Sequence, residues 1–499
     1  MSYLAIDLGA SSGRMVAGRL DGDVMHMEEI HRFTTPMVER GAHLYWDVES
    51  MWAEIRAGIA KAFAGGHALQ SLSVDSWAVD YVPLDMHGVA LRDSYSYRDP
   101  RTAGRMEVAI ACAGGADALY ERTGIQFLPF NTLPQVVADL ADEPDVVRQT
   151  VTRLLIAEYF LYRLCGRRVA ESTMASTTQL MDVRTGEWAT DLIAAIGDDV
   201  SRWPRIVSCG TVLGPLDASL VRAGLAQAPI VIASCSHDTA AAVAAVPASG
   251  ERGWAFISSG TWSLVGMERS APVLTRAARE AGFTNEAGLD GTVRFLTNRA
   301  GMWVLEECRR EWEAQGAHFT HDVLCSAAAH AKSSGIIANL NAPEFASRGG
   351  MVHKLAAACA SVGGSMPDSP AGVTRLVLES LADSHAVALD QLATFADARR
   401  LNAPYPHEMK SITAPDGTVW KVDIQSPGSS NAMIIFRHPD GRSSRLDRYN
   451  WVITQGPESR SVTSRLVPDK VLDQLDQTAI ERLFARSMAV SRPDSLPRV

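Results

Sequence analysis

The chain of 499 residues has no apolar run long enough to span a membrane. A strand-like segment begins almost at Met1, so no signal peptide is expected. Positive charge is not in excess: 57 Asp and Glu against 47 Lys and Arg give a formal net charge of -10. That excludes a general nucleic-acid binder but not a binder of small anions, which need only local positive charge. The seven cysteines (Cys112, Cys165, Cys209, Cys235, Cys308, Cys325 and Cys359) include no C-x-x-C pair. A disulfide framework and a cysteine metal site are therefore both weakly supported, and free thiols in a reducing cytoplasm are expected. Near the N-terminus, "AIDLGASSGR" is neither a phosphate loop ending Gly-Lys-Ser nor the G-x-G-x-x-G dinucleotide fingerprint.

What is present is ordinary globular material, 46% hydrophobic and 21% charged, with enough length for two or three domains and a large core. The first 400 residues alternate strand-like and helix-like patches, which argues for an α/β fold. "SYLAIDLGA", "SLSVDSWAVDYVPLD" and "APIVIASCSHDTA" read as strands ending in polar loops. "MVAGRLDGDVMHMEEIHRF" reads as two strands around an Asp-Gly turn. "DVESMWAEIRAGIAKAFAGG" reads as a helix capped by Asp47 and ended by Gly65-Gly66, and "TRLLIAEYFLYRLCGR" as another that stops at Gly166. There is an internal echo: "LAIDLGASSGRMVAG" and "AFISSGTWSLVGM" are both an apolar strand, a small-residue turn and a second apolar strand. Two related domains facing a shared ligand would produce it.

Composition changes near residue 400. Residues 381–400 hold six alanines, as many as the whole of 401–499, which reads as short strands with Asp-Gly turns followed by a helix, "DQTAIERLFARSMAV".

Four stretches carry residues suited to chemistry. Asp7 with Gly9, Ala10, Ser11, Ser12, Gly13 and Arg14 places a carboxylate beside a small, hydroxyl-bearing turn. Such backbone can approach an anion closely. Asp75, Trp77 and Asp80 at a strand end offer an indole face and carboxylates, which suit a polyol. His237-Asp238-Thr239 stands between an apolar strand and a small-residue helix. A carboxylate there is kept ionised by the helix dipole and can take a proton from an attacking hydroxyl. Ser258, Ser259, Gly260 and Thr261 form a second hydroxyl-rich turn. Taken singly, each admits a plainer reading: two ordinary hairpins, a buried Trp with solvated Asp residues, and an Asp that only caps a helix.

In this order the stretches resemble the FGGY carbohydrate kinases, and within them the rhamnulokinase branch. The resemblance is carried by "AIDLGASSGRM", "SVDSWAVDYVPLD", "YERTGIQFLPFNTLPQ", "ASCSHDTAAAVAAVP", "FISSGTWSLVGME" and "TNEAGLDGTVRFLTNRAGMWVLEECRREW", among others, over about residues 3–400. It implies two actin-like, ribonuclease H-like domains around a cleft. The expected domains are 1–244, with the sugar side and first phosphate hairpin, a partial 245–400 with the second phosphate turn, and an unrelated or rearranged α+β tail at 401–499. ATP would be held by Ala10, Ser11, Ser12, Gly13, Arg14, Thr261 and Glu306, with Mg²⁺ near Asp7. The ketose would lie near Trp77, Ala78, Asp80, His237, Thr239 and Asn298, with Asp238 as general base for its O1. The implied reaction takes L-rhamnulose and ATP to L-rhamnulose 1-phosphate and ADP. A cytoplasmic enzyme with no nucleic-acid or membrane partner is expected, with its oligomeric state left open and a monomer favoured over an oligomer. A kinase of a related ketose, fuculose or xylulose, is the alternative, with Ala78 and the loop from Phe127 to Phe130 setting the choice.

The chain departs from the family pattern in two places. Glu306 stands where the branch often has Gln. After Arg400 there is no adenosine-binding glycine loop, "SPGSSNAMI" at 426–434 being the nearest imitation. This loss makes a catalytically impaired relic a further alternative, because a truncated sheet exposes an edge and apolar surface.

Overall fold

The computed structural model describes residues 2–22, 24–221, 227–246, 248, 254–395, 411–414, 416–425, 431–437, 439, 448–453, 475, 477–485 and 487–489. Its contacts divide the chain into two compact units, residues 1–244 with 255–395, and residues 245–254 with 396–499. The expected boundary at 400 and the "SPGSS" part of 426–434 lie outside the described residues.

The first lobe of the large unit is built on a six-stranded sheet. Its strands are β1 (Ser2–Leu8), β2 (Ser12–Asp21), β3 (Val24–Thr34), β4 (Leu69–Ser76), β5 (Thr211–Pro215) and β6 (Ile230–Ala233), in the order β5-β6-β4-β1-β2-β3. β1, β4 and β6 are parallel, and β2 and β3 continue antiparallel from β1. The Asp-Gly turn between β2 and β3 forms as the sequence predicts, with Gly22 at φ +59°.

Helix α1 (Val48–Ala64) forms because Val48, Met51, Trp52, Ile55, Ile59, Ala62 and Phe63 recur every three to four residues and are buried together. Asp47 caps it by accepting from the Ser50 N–H, and Gly66 at φ +81° takes the chain out. Three further helices matter to the site: α2 (Ile156–Cys165), α3 (Ser172–Ser176) and α4 (Asp238–Ala244).

Two sequence expectations need correction. "TRLLIAEYFLYRLCGR" is not one helix: Thr152–Leu155 form a strand, and α2 begins only at Ile156 before stopping at Gly166 as expected. "SVDSWAVDYVPLD" is not one strand either. The chain leaves β4 at Ser76, and Tyr81–Leu84 pair with Thr152–Leu155 in a separate two-stranded sheet. The break passes through Val79 at φ +73°, an outlier for a β-branched residue. Its carbonyl is held by the Thr132 hydroxyl and the Gln135 amide, which fix the strained conformation.

The second lobe has a four-stranded antiparallel sheet: β7 (Phe256–Ser259), β8 (Trp262–Arg269), β9 (Thr284–Ala287) and β10 (Val293–Ala300), in the order β7-β8-β10-β9. Helices α5 (Trp303–Ala314) and α6 (Pro370–Phe395) belong to this lobe. The lobes meet through named contacts. Asn285 donates from its backbone and side chain to the Gly124 carbonyl, and the Ala287 N–H donates to the Ser176 hydroxyl. Arg98 of the first lobe lies over the Trp303 ring, 3.5 Å from its centroid, and donates to the Ala346 carbonyl.

The small unit forms its own antiparallel sheet from β11 (Ser411–Thr413), β12 (Val419–Gln425), β13 (Asn431–Arg437), β14 (Arg448–Ile453) and β15 (Met488–Ala489), with α7 (Gln477–Ala485). Ile412, Trp420, Val422, Ile434, Phe436 and Ile480 are its core. Among the described residues no helix is long and apolar enough to cross a membrane.

Candidate active site

A cleft of about 850 Å³ lies inside the large unit, with walls from both lobes. Its floor on one side is the turn between β1 and β2. The Gly9 N–H donates to the Ser12 carbonyl, and Thr35 pins the turn by donating its hydroxyl to the Gly9 carbonyl at 2.8 Å. Ala10, Ser11, Ser12 and Arg14 line the cleft. Facing it is the turn between β7 and β8, in which the Gly260 N–H donates to the Trp262 carbonyl. Ser258, Gly260 and Thr261 line the cleft there. The start of α5 supports this second turn, since Met302 N–H donates to Gly260 and Trp303 N–H to Thr261. A Cβ on Gly301 would stand 2.5 Å from the Gly260 carbonyl oxygen, so only glycine lets α5 approach so closely. The echo seen in the sequence is thus a pair of facing turns.

Carboxylates gather at the first-lobe end. Asp7 and Asp75 are paired across the parallel strands β1 and β4. Asp7 accepts from Arg14 Nε at 2.7 Å across β1 and β2. Burial holds Asp75 well above the usual carboxylate range, and the charges of Asp7 and Asp238 push it further. Asp238 opens α4 at the end of β6, where Ser76 bridges to His237. Enclosure by the cleft walls raises the Asp238 pKa, although the carboxylate itself is 38% open to the cavity. Its Oδ1 accepts from the Thr239 N–H and hydroxyl and lies 3.4 Å from His237 Nε2. Among the described residues Oδ2 has no hydrogen-bond partner, so one oxygen anchors the side chain and the other is free to take a proton.

Trp77, Ala78, His237, Thr239 and Asn298, the residues expected near the ketose, also line the cleft. Three of the expected site residues do not. Asp80 is buried beneath the cleft, where it accepts from the indoles of Trp46 and Trp77, the Tyr97 N–H and the Gln135 amide. There it holds the Trp77 indole, which lines the cleft. Burial lifts its pKa to about 6 despite these donors. Gly13 lies within β2, where a Cβ would strike the Phe33 ring. Glu306 lies in the first turn of α5. Burial alone would raise its pKa, but Arg309 chelates both oxygens and holds it low. This pairing neutralises the extra charge that sets the chain apart from the branch's usual Gln.

The cleft also brings in residues that the sequence did not single out for a role. Gln126 accepts from the Asn298 N–H and Nδ2, tying β10 to the first lobe. Glu286 lines the cleft and sits 3.4 Å from His237 Nδ1. Both stand inside "GIQFLPF" and "TNEAG", but their roles depend on partners more than 100 and about 50 residues away in sequence.

Two lobes of related topology, facing hydroxyl-bearing turns and a half-free carboxylate at a helix start define a phosphotransferase of the actin-like ATPase fold. The comparisons agree. Residues 2–245 match the N-terminal domain of the FGGY family of carbohydrate kinases and residues 255–405 its C-terminal domain. The chain belongs to that family. It is similar to the rhamnulokinase of Oceanobacillus iheyensis, 37% identical over 391 residues that cover 78% of this chain and 81% of the relative. It is also similar to that of Bacillus subtilis, 34% identical over 400 residues covering 80% of each. Among solved structures, a ligand-bound xylulose kinase from Lactobacillus acidophilus matches with TM-score 0.63 at 17% identity, covering 78% of both chains. Plasmodium falciparum glycerol kinase with ADP matches with TM-score 0.57 at 14% identity, covering 79% of this chain and 78% of that one. These two likenesses carry the fold alone.

FGGY sugar kinases use ATP with Mg²⁺. The phosphate end of the cleft fits both. Two backbone turns offer N–H and hydroxyl donors to phosphate, and Asp7, beside Asp75 and partly offset by Arg14, offers a carboxylate to a cation. Among the described residues no cluster of three or more His, Cys, Asp or Glu could hold a metal ion by itself, so a divalent cation there would need phosphate oxygens and water to complete its shell.

Proposed function

We propose that the chain transfers the γ-phosphoryl group of ATP to O1 of L-rhamnulose, giving L-rhamnulose 1-phosphate and ADP. The observation that carries this reading is Asp238: a carboxylate anchored through Oδ1, free at Oδ2, and lining the same cleft as the two turns. Its raised pKa suits a base that must take a hydroxyl proton as the oxygen attacks phosphorus. Trp77 and Ala78 present an apolar face to the ketose, with Asn298 and His237 offering polar contacts. The turns at 9–12 and 258–261 bind phosphate, and Arg14 meets its charge. Asp7, with Asp75 beside it, would hold Mg²⁺, which when bound would supply charge neutralisation at the transferring group. Closure of the lobes excludes water, which would otherwise compete as acceptor.

The choice of L-rhamnulose follows the rhamnulokinases among the relatives, since the xylulose kinase likeness speaks for fold only. The test is ADP formation by the purified full chain with MgATP and, separately, L-rhamnulose, L-fuculose or D-xylulose. ADP dependent on L-rhamnulose and at least tenfold faster than with the other ketoses supports the assignment. ADP with another ketose would reassign the sugar, and none from a folded protein would reduce the chain to a relic.

A further inference from the structure

His237 sits where the two lobes touch. Its backbone N–H donates to the Thr173 hydroxyl of α3. Its Nε2 lies 3.4 Å from Asp238 Oδ1. Its Nδ1 meets two residues of the second lobe, Arg294 Nη2 of β10 at 3.1 Å and Glu286 Oε2 of β9 at 3.4 Å. Arg294 and Glu286 are themselves paired at 3.1 Å, and Arg294 is wholly buried, with its Nε donating to the Ala287 carbonyl.

The donor inventory decides the proton positions. A guanidinium has donors only and stays charged in proteins, so a hydrogen bond from Arg294 requires an unprotonated Nδ1. A neutral imidazole must then carry its proton on Nε2, the nitrogen that faces Asp238. Glu286 alone would favour the opposite form, with Nδ1–H donating to the carboxylate. Arg294 settles this competition because it is nearer and neutralises Glu286. Burial would raise the Glu286 pKa, but the Arg294 charge holds it low. Asp7, from β1, acts on Asp238 and not on this choice.

We infer that Arg294, on the second lobe, is a positioning residue that fixes His237 as the Nε2–H tautomer and so aims an N–H donor at the Asp238 carboxylate. The inference deepens the kinase reading and rests on it for its catalytic meaning. A donor on Oδ1 keeps Asp238 oriented with Oδ2 free. Because the donor depends on a residue from the opposite lobe, the base is set only while the lobes are in contact.

The test is long-range ¹H–¹⁵N NMR on the full chain labelled at histidine, with His237 signals assigned by their loss in His237→Gln. The expected wild-type result is an unprotonated Nδ1 and a protonated Nε2. A protonated Nδ1 overturns the inference whatever the activity. In Arg294→Gln the tautomer is expected to switch to Nδ1–H facing Glu286, with kcat down about 10- to 100-fold and the KM for sugar little changed. Arg294→Lys, which keeps a charged donor, is expected to retain Nε2–H and recover part of kcat. Glu286→Gln is expected to retain Nε2–H. An Arg294→Gln protein that melts like wild type and keeps Nε2–H would sink the idea. Should that variant not fold, the wild-type spectrum and Arg294→Lys decide. Absence of turnover in wild type would overturn the kinase reading and leave the tautomer result standing.

Discussion

The two lobes start alike and end differently. In the first, β1 has β2 on one side and β4 on the other, and the parallel side continues to β6. In the second, β7 has β8 on one side and, among the described residues, no strand on the other. Both hairpins bring a small hydroxyl-bearing turn to the cleft. Only the first lobe adds the parallel strands, and those strands deliver Asp75 from β4 and His237-Asp238 from the end of β6. The proposed acceptor and base side of the site is therefore supported by a full sheet. The proposed donor side rests on a hairpin and on α5 beneath it, and Ile257 of β7 is 43% exposed.

The largest effect is expected on the complete side. Asp238→Asn should lower kcat about 10³-fold, the scale of a lost general base, while calorimetry still detects sugar binding. Near-normal turnover would remove Asp238 from the mechanism.

The first lobe also stores a pH-dependent cost. Burial, followed by the Glu171 charge, pushes the Glu158 pKa to about 8. A carboxylate whose pKa is higher folded than unfolded binds its proton more tightly in the folded state. Its contribution to stability is full below the unfolded value of 4.5 and is lost as pH rises through about 8. Glu158→Gln should raise stability at pH 9 by about 2–4 kcal/mol and leave it nearly unchanged at pH 4.5, as read by chemical denaturation. An equal gain at both pH values would mean that packing, and not ionisation, sets the cost.

A smaller effect is expected under the second turn. Gly301→Ala should cost about 1–3 kcal/mol by overpacking against Gly260 and raise the KM for ATP, with the KM for sugar unaltered. Matched changes in both constants would show that the turn does not belong to the donor side alone. The smallest difference concerns the adenosine. If the hairpin is the main donor contact, Mg-tripolyphosphate should compete with an affinity within about tenfold of that of MgATP, a gap of about 1.4 kcal/mol. A much larger gap would mean that adenosine finds contacts beyond the hairpin.

Much of this comparison was legible in the sequence because hairpins, caps and turns are local. Gly22, Asp47 and Gly166 act within a few residues of themselves, so their elements could be placed. The failures are non-local. Thr152–Leu155 carry the apolar spacing of a helix start but pair with Tyr81–Leu84, about 70 residues earlier. Asp80 looked like a ligand carboxylate because its four donors come from Trp46, Trp77, Tyr97 and Gln135, which only the folded chain assembles. Glu306 looked like a hazard to ATP because the orientation of its helix face, and hence its pairing with Arg309, depends on how α5 packs. Arg294 carried no signal at all, as its meaning arises where the lobes touch.

Arg98 has an optical consequence. It reaches from the first lobe to lie 3.5 Å over the Trp303 ring and within 5.6 Å of the Trp262 ring centroid. A full positive charge that close to an indole shifts the ring's emission, and the shift disappears when charge and ring separate. A parting of the lobes would pull this guanidinium off Trp303, and the emission of that one indole among the chain's eleven tryptophans would then report cleft opening without an added label.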